Sequence, residues 1–195
     1  MEEFKFPREL KRQSVHISGS LLAAVYILMG ESYALTLSVL GLITTMFIYL
    51  SYRKNKDVFR FLITSLERDM EKSVARGAVF YFIGIILTIL LFPPYIIPAV
   101  IIITTFGDAF STLVGLKFGS IKLPYNKIKS VQGSLAFLVS AFIASSLVIP
   151  TELAFAGSLT GALVESLIDR RDEDNILVPL FTGLTIKLLL YYGIF

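Results

Sequence analysis

Four ionisable side chains stand inside or at the edge of long apolar runs: His16, Asp108, Glu165 and Lys187. A charge at the centre of a bilayer costs about 2.5–3.5 kcal/mol on insertion scales, so such residues are functional candidates by default. His16 opens one apolar block and also suits a position at the membrane interface. Glu165 closes another block, where it is able to pair with Arg170. Lys187 reads as a snorkelling or paired lysine and takes no role. Asp108 is the hardest to explain structurally, because Thr104-Thr105-Phe106-Gly107-Asp108 comes well before any basic stretch.

A second group of residues is basic. Gly115-Leu116-Lys117-Phe118-Gly119-Ser120-Ile121-Lys122 is followed by Lys127-Ile128-Lys129-Ser130-Val131-Gln132-Gly133-Ser134, which runs into an apolar block. Lysine charges and the free N–H groups of a helix N-terminus both favour anions, so this stretch reads as a phosphate cradle. Lysines retained only for membrane orientation would explain the charge but not the glycines and Ser130. Neither GxxxxGK[ST] nor a protein-kinase glycine loop is present. A third group, Asp169, Asp172, Glu173, Asp174 and Asn175, offers hard oxygens suited to Mg²⁺, which takes one or two carboxylates and completes its shell with substrate phosphates. Neutralisation of Arg170 and Arg171 is the competing reading for Asp169, Asp172 and Glu173. Together the three groups suit metal-assisted phosphoryl or nucleotidyl transfer to a lipid.

The elements that must position these groups are membrane helices. Hydrophobic residues make up 55% of the 195-residue chain and charged residues only 17%, which moves it from the globular to the membrane class. Seven apolar blocks run 15–29, 33–51, 77–92, 95–115, 131–149, 153–168 and 176–192. The expected fold is therefore all-α, a polytopic membrane protein with about seven transmembrane helices, six being the alternative. Residues 1–195 form one integral membrane catalytic domain. Every Lys and Arg except Lys187 falls in the N-terminal stretch or in alternate connections, while 30–32, 93–94 and 150–152 carry none. The positive-inside rule then places the N-terminus and the polar face in the cytoplasm and the C-terminus outside. From Arg53 to Arg76, Phe59, Leu62, Ile63, Leu66 and Met70 keep helical spacing among charges, which predicts a cytoplasmic amphipathic helix on the membrane surface. Gly157 and Gly161 form a GxxxG pair suited to close helix packing. The chain has no cysteine and one histidine, which excludes disulfides, thiol nucleophiles and multi-histidine metal sites. The charged first twelve residues and the lack of a small-residue cleavage site predict no signal peptide. The net charge of +3 is explained by the sided lysines and arginines, so no nucleic-acid partner is expected.

Five segments, in order, resemble the CTP-dependent lipid kinases, the family of dolichol kinase, phytol kinase and the CTP-using diacylglycerol kinase. Glu9-Leu10-Lys11-Arg12-Gln13-Ser14-Val15-His16 resembles that family's opening. Arg76-Gly77-Ala78-Val79-Phe80 resembles the start of its third span. Gly107-Asp108-Ala109-Phe110-Ser111-Thr112-Leu113-Val114-Gly115-Leu116-Lys117-Phe118-Gly119 resembles its most distinctive motif. Lys129-Ser130-Val131-Gln132-Gly133-Ser134 resembles its CTP-binding segment, and Glu165 with Asp174-Asn175-Ile176-Leu177-Val178-Pro179-Leu180 resembles the closing motif. Gln132 stands where the family usually has Glu, and Ser111 and Thr112 replace a small apolar pair. The resemblance covers nearly the whole chain. It implies transfer of the γ-phosphoryl group of CTP to a membrane lipid alcohol, with a dolichol-type polyprenol as the expected acceptor. It further implies Mg²⁺ on Asp108, Glu165 and Asp174, and nucleotide on Lys122, Lys129, Ser130, Gln132, Gly133 and Asn175. His16 or Asp108 would take the hydroxyl proton. A CDP-lipid synthase related to the phosphatidate cytidylyltransferases is the alternative, and a small transporter ranks behind both. The small size leaves room for a homodimer.

Overall fold

The computed structural model describes residues 5–60, 75–168 and 172–193, and these are helical apart from short connections. The helices are α1 (Lys5–Ser18), α2 (Leu21–Met29), α3 (Glu31–Lys54), α4 (Arg76–Leu91), α5 (Ile97–Phe118), α6 (Val131–Ser145), α7 (Thr151–Leu167) and α8 (Asp174–Tyr191), with a 3₁₀ turn over Pro94–Ile96 before α5. Helices α3 to α8 follow the apolar blocks of the sequence closely, because an apolar run in hydrocarbon satisfies its backbone only by internal hydrogen bonds, whereas residues 5–14 of α1 are charged and lie outside every block. Three segments, Glu31–Lys54, Pro94–Phe118 and Asp174–Tyr191, are long and apolar enough to cross a bilayer, and Arg76–Leu91 and Val131–Ser145 are shorter apolar helices. This apolar build suggests membrane association.

One block differs from its expected form. The run 15–29 is not a single helix, because α1 ends at Ser18 and α2 begins at Leu21. At the break, a Cβ on Gly19 would overlap the hydroxyl group of Tyr81 and press on the His16 carbonyl. Glycine lets the chain pass Tyr81 closely, and the Ser20 hydroxyl donates to the Ile17 carbonyl at 2.7 Å within the turn. Of the expected amphipathic helix, residues 61–74 lie outside the described residues.

Helix α5 is the hub, packing against α1, α2, α4, α6, α7 and α8. On one side Ile96, Val100, Ile103, Phe137, Ala154, Val178 and Ile186 form a core. On the other, Ala23, Ala34, Tyr81, Ile85, Ile97 and Ile101 form a second one. Helix α3 stands at the periphery and leaves Leu37, Leu40, Ile43, Phe47 and Leu50 exposed, a surface that suits lipid contact. Gly157 meets Ile186 and Ile103, and Gly161 meets Phe137 and Thr182, so the GxxxG pair is a packing device here.

Candidate active site

The polar residues gather where α5 and α7 end and α6 and α8 begin. Between α5 and α6, residues 119–130 fold back on themselves. Lys122 and Ser130 form an isolated antiparallel bridge, and the Val131 N–H donates to the Ile121 carbonyl at 2.9 Å. Ser130 is the N-cap of α6, its hydroxyl accepting the Gly133 N–H at 3.2 Å. Gly133 sits so tightly against α5 that a Cβ would lie 3.0 Å from the Ser111 carbonyl. The cap and the glycine together press the start of α6 onto the stretch of α5 that carries Asp108 and Ser111.

This fold-back delivers Lys129 to the carboxylates. Its ammonium pairs with Glu165, whose side chain is 3% exposed, and stands 3.8 Å from Asp174 Oδ2. Burial alone would push the Lys129 pKa down. Glu165 and Asp174, with a smaller contribution from Asp108, outweigh that and raise it, so the ammonium is charged at physiological pH. Ser111 Oγ donates toward Glu165 Oε1 at 3.2 Å and toward the Asp108 carbonyl at 3.0 Å, which ties α5 to α7. Asp174, the first residue of α8, accepts the Asn175 N–H at 3.0 Å. Asp108 Oδ2 lies 3.4 Å from His16 Nε2, and the His16 ring meets Tyr81 edge to face at 5.2 Å.

Helix α1 contributes more than His16. The Lys117 ammonium lies over the Phe6 ring at 5.5 Å, while His16 reaches Asp108. Ten residues of α1 are thus matched by nine of α5 running the other way, as two helices of equal rise require. Glu9, Gln13 and His16 share one face of α1. Gln13 is 1% exposed and donates from Nε2 to Glu9 Oε1 at 2.8 Å. A carboxylate only accepts, so the amide orientation is fixed, and the buried Gln13 Oε1 makes no hydrogen bond among the described residues.

Of the residues singled out in the sequence, the structure brings His16, Asp108, Lys129, Glu165 and Asp174 together, with Asn175 buried next to Asp174. Ser130 and Gly133 adjoin them as cap and packing residue. Lys122 and Gln132 instead contact their own fold-back. Lys122 Nζ donates to the Ile128 carbonyl at 3.2 Å, and Gln132 donates to Ser120 Oγ at 2.7 Å and accepts the Ile121 N–H at 3.2 Å. Asp169, Arg170 and Arg171 lie outside the described residues. Sequence reasoning missed Gln13, Ser111 as a ligand of Glu165, Tyr81 and Asn126. Asn126 alone had a local signal, its place after Pro124-Tyr125 in a turn.

Among the described residues, no group of three or more His, Asp or Glu side chains is placed to hold a metal ion. The donors present nevertheless fit Mg²⁺, which keeps few protein ligands. Asp108 and Asp174 supply carboxylates, and the buried Asn175 Oδ1 makes no hydrogen bond among the described residues. Glu165 is engaged by Lys129 and Ser111.

Among the described residues, fold and site together give a helical bundle whose apolar helices suggest membrane association and whose lysine and carboxylates interlock at one end. Among curated proteins, a probable chloroplastic phytol kinase of Triticum aestivum is 32% identical over 149 residues, covering 66% of this chain and 49% of the relative. One from Oryza sativa is 28% identical over 212 residues, covering 95% and 66%. A chloroplastic farnesol kinase of Arabidopsis thaliana is 34% identical over 93 residues, covering 40% and 30%. The chain belongs to the CTP-dependent lipid kinase family, which holds these polyisoprenoid-alcohol kinases. It spans about half the length of the first of these relatives. No family model and no solved structure matches it.

Proposed function

We propose that this protein transfers the γ-phosphoryl group of CTP to the hydroxyl of an isoprenoid alcohol in the membrane. The observation that carries this reading is Lys129, held between Glu165 and Asp174 beside the Asp108–His16 pair. A phosphoryl transfer needs positioned positive charge for the phosphate oxygens and a proton acceptor for the attacking hydroxyl. Lys129 and the N-terminus of α6 supply the first. The His16–Asp108 pair supplies the second. The alcohol oxygen forms the new P–O bond, the bond from the γ-phosphorus to its bridging oxygen breaks, CDP leaves, and the hydroxyl proton passes to the pair. Asp108, Asp174 and Asn175 would hold Mg²⁺ together with phosphate oxygens, and the ion would neutralise charge on the transferring group. Relatives named phytol kinase and farnesol kinase support phytol and farnesol as candidate acceptors beside the dolichol-type polyprenol. The positive-inside rule puts this chemistry on the cytoplasmic face, with seven crossings and the fold-back in the cytosol.

The test is product analysis. Purified protein is incubated with CTP, Mg²⁺ and farnesol, phytol or a dolichol-type polyprenol, and the products are read by mass spectrometry. The expected products are a lipid monophosphate and CDP. A CDP-lipid with pyrophosphate would overturn the kinase reading in favour of a synthase.

A further inference from the structure

Beside the Lys129–Glu165 pair stands Asn126, whose hydrogen bonds go to backbone groups on both sides of it. Asn126 is 2% exposed. Its Oδ1 accepts the N–H groups of Ile128 at 3.0 Å and Lys129 at 3.2 Å. Its Nδ2 donates to the carbonyls of Ser166 at 3.0 Å and Ile168 at 3.4 Å. Both faces of one planar amide are thereby used, two donors and two acceptors, which is the full ordinary capacity of an asparagine. One face holds the backbone of Lys129. The other holds the end of α7 at Ser166 and Ile168, just beyond Glu165. A Tyr125–Ser166 hydroxyl contact at 3.0 Å runs parallel to it. The fold-back and α7 thus meet through neighbouring side chains at 125 and 126, and the ion pair closes across the same seam.

We propose that Asn126 is the positioning residue of this site, setting the placement of Lys129 against Glu165 and so the charge offered to the nucleotide phosphates. The activity arm of the argument rests on the kinase reading above; the geometric arm does not. Asn126→Asp separates the two faces of the amide. The carboxylate still accepts from Ile128 and Lys129, so the turn is kept. It cannot donate to the Ser166 and Ile168 carbonyls, so the tether to α7 is lost.

The experiment uses the full chain in detergent and has two readouts. The first is the reactivity of each lysine toward an amine-acylating reagent, read by mass spectrometry. Asn126→Asp should raise acylation of Lys129 about tenfold while Lys122 and Lys127, exposed already, stay unchanged. Unchanged protection of Lys129 in a variant with wild-type helicity would overturn the proposal, whatever reaction the protein performs. The second is CTP-dependent transfer in a double-mutant cycle. Asn126→Asp should lower kcat/KM for CTP about tenfold in the wild-type background and have no further effect in Lys129→Met. Equal losses in both backgrounds would show that Asn126 acts on general stability and would overturn its positioning role. Altered acylation with no transfer by the wild type would uphold the tether and remove the kinase reading instead.

Discussion

At the scale of single residues, the site is a small network of charges in a largely apolar molecule. Glu165 is buried, and Lys129 with Ser111 satisfies it. Removing one partner of a buried pair leaves an uncompensated charge and costs roughly 3–5 kcal/mol. Lys129→Met should therefore lower the melting temperature clearly, and Glu165→Gln added to it should recover part of the loss. Melting followed by circular dichroism checks both, and an unchanged melt in Lys129→Met would contradict the pairing. The pH dependence has a definite sign. The Lys129 pKa is raised above its ordinary 10.5. Its contribution to stability is full below that value and is lost as pH rises through the raised pKa. Wild type should thus lose more stability than Lys129→Met between neutral and strongly alkaline pH. Asp108, Glu165 and His16 were singled out in the sequence because charge near hydrocarbon needs a reason, and Lys129 because it stands in a basic, glycine-bearing connection. Gln13, Ser111 and Asn126 were not. Their importance comes from which buried atoms they satisfy, and an uncharged polar residue inside a helix or in a turn has many ordinary explanations.

Elements set how closely these groups meet. Gly84 on α4 lies directly against the Asn175 carbonyl at the start of α8, where a Cβ would overlap that oxygen. A backbone atom cannot swing aside as a side chain can. Gly84→Ala should push the start of α8, with Asp174 and Asn175, away from α4, lowering stability by about 1–3 kcal/mol as overpacking does. A thermal melt measures this, and a melt within a degree of wild type would contradict the close approach. Loss of the cap in Ser130→Ala should cost about 1 kcal/mol, seen in the same measurement. Helices α3 to α8 were visible in the sequence as long apolar runs, while most of α1 was not. The break between α1 and α2 was not, because Gly19-Ser20 sits within an apolar block and the close approach that needs Gly19 is to Tyr81, far later in the chain. The fold-back of 119–130 was legible as a basic, glycine-bearing connection. The roles of Lys122 and Gln132 inside it depend on the Lys122–Ser130 bridge, which no spacing in the sequence announces.

On the scale of the whole molecule, charge asymmetry and the site coincide. Every Lys and Arg but Lys187 belongs to the N-terminal stretch and alternate connections, and the carboxylates converge on that same end. The chain has no cysteine, so single cysteines report sidedness cleanly. In sealed inside-out vesicles, Lys127→Cys should react with an impermeant maleimide and Ser32→Cys should not. The reverse labelling would place the site on the other face. Phosphoryl transfer through Asp108 is open to a single labelling measurement. Wild type and Asp108→Asn are given CTP labelled at the γ-phosphate, Mg²⁺ and an isoprenoid alcohol, and the lipid extract is counted. Label is expected in the lipid with wild type, with a loss of at least about 100-fold in the variant. Equal labelling by the two proteins would remove Asp108 from the reaction.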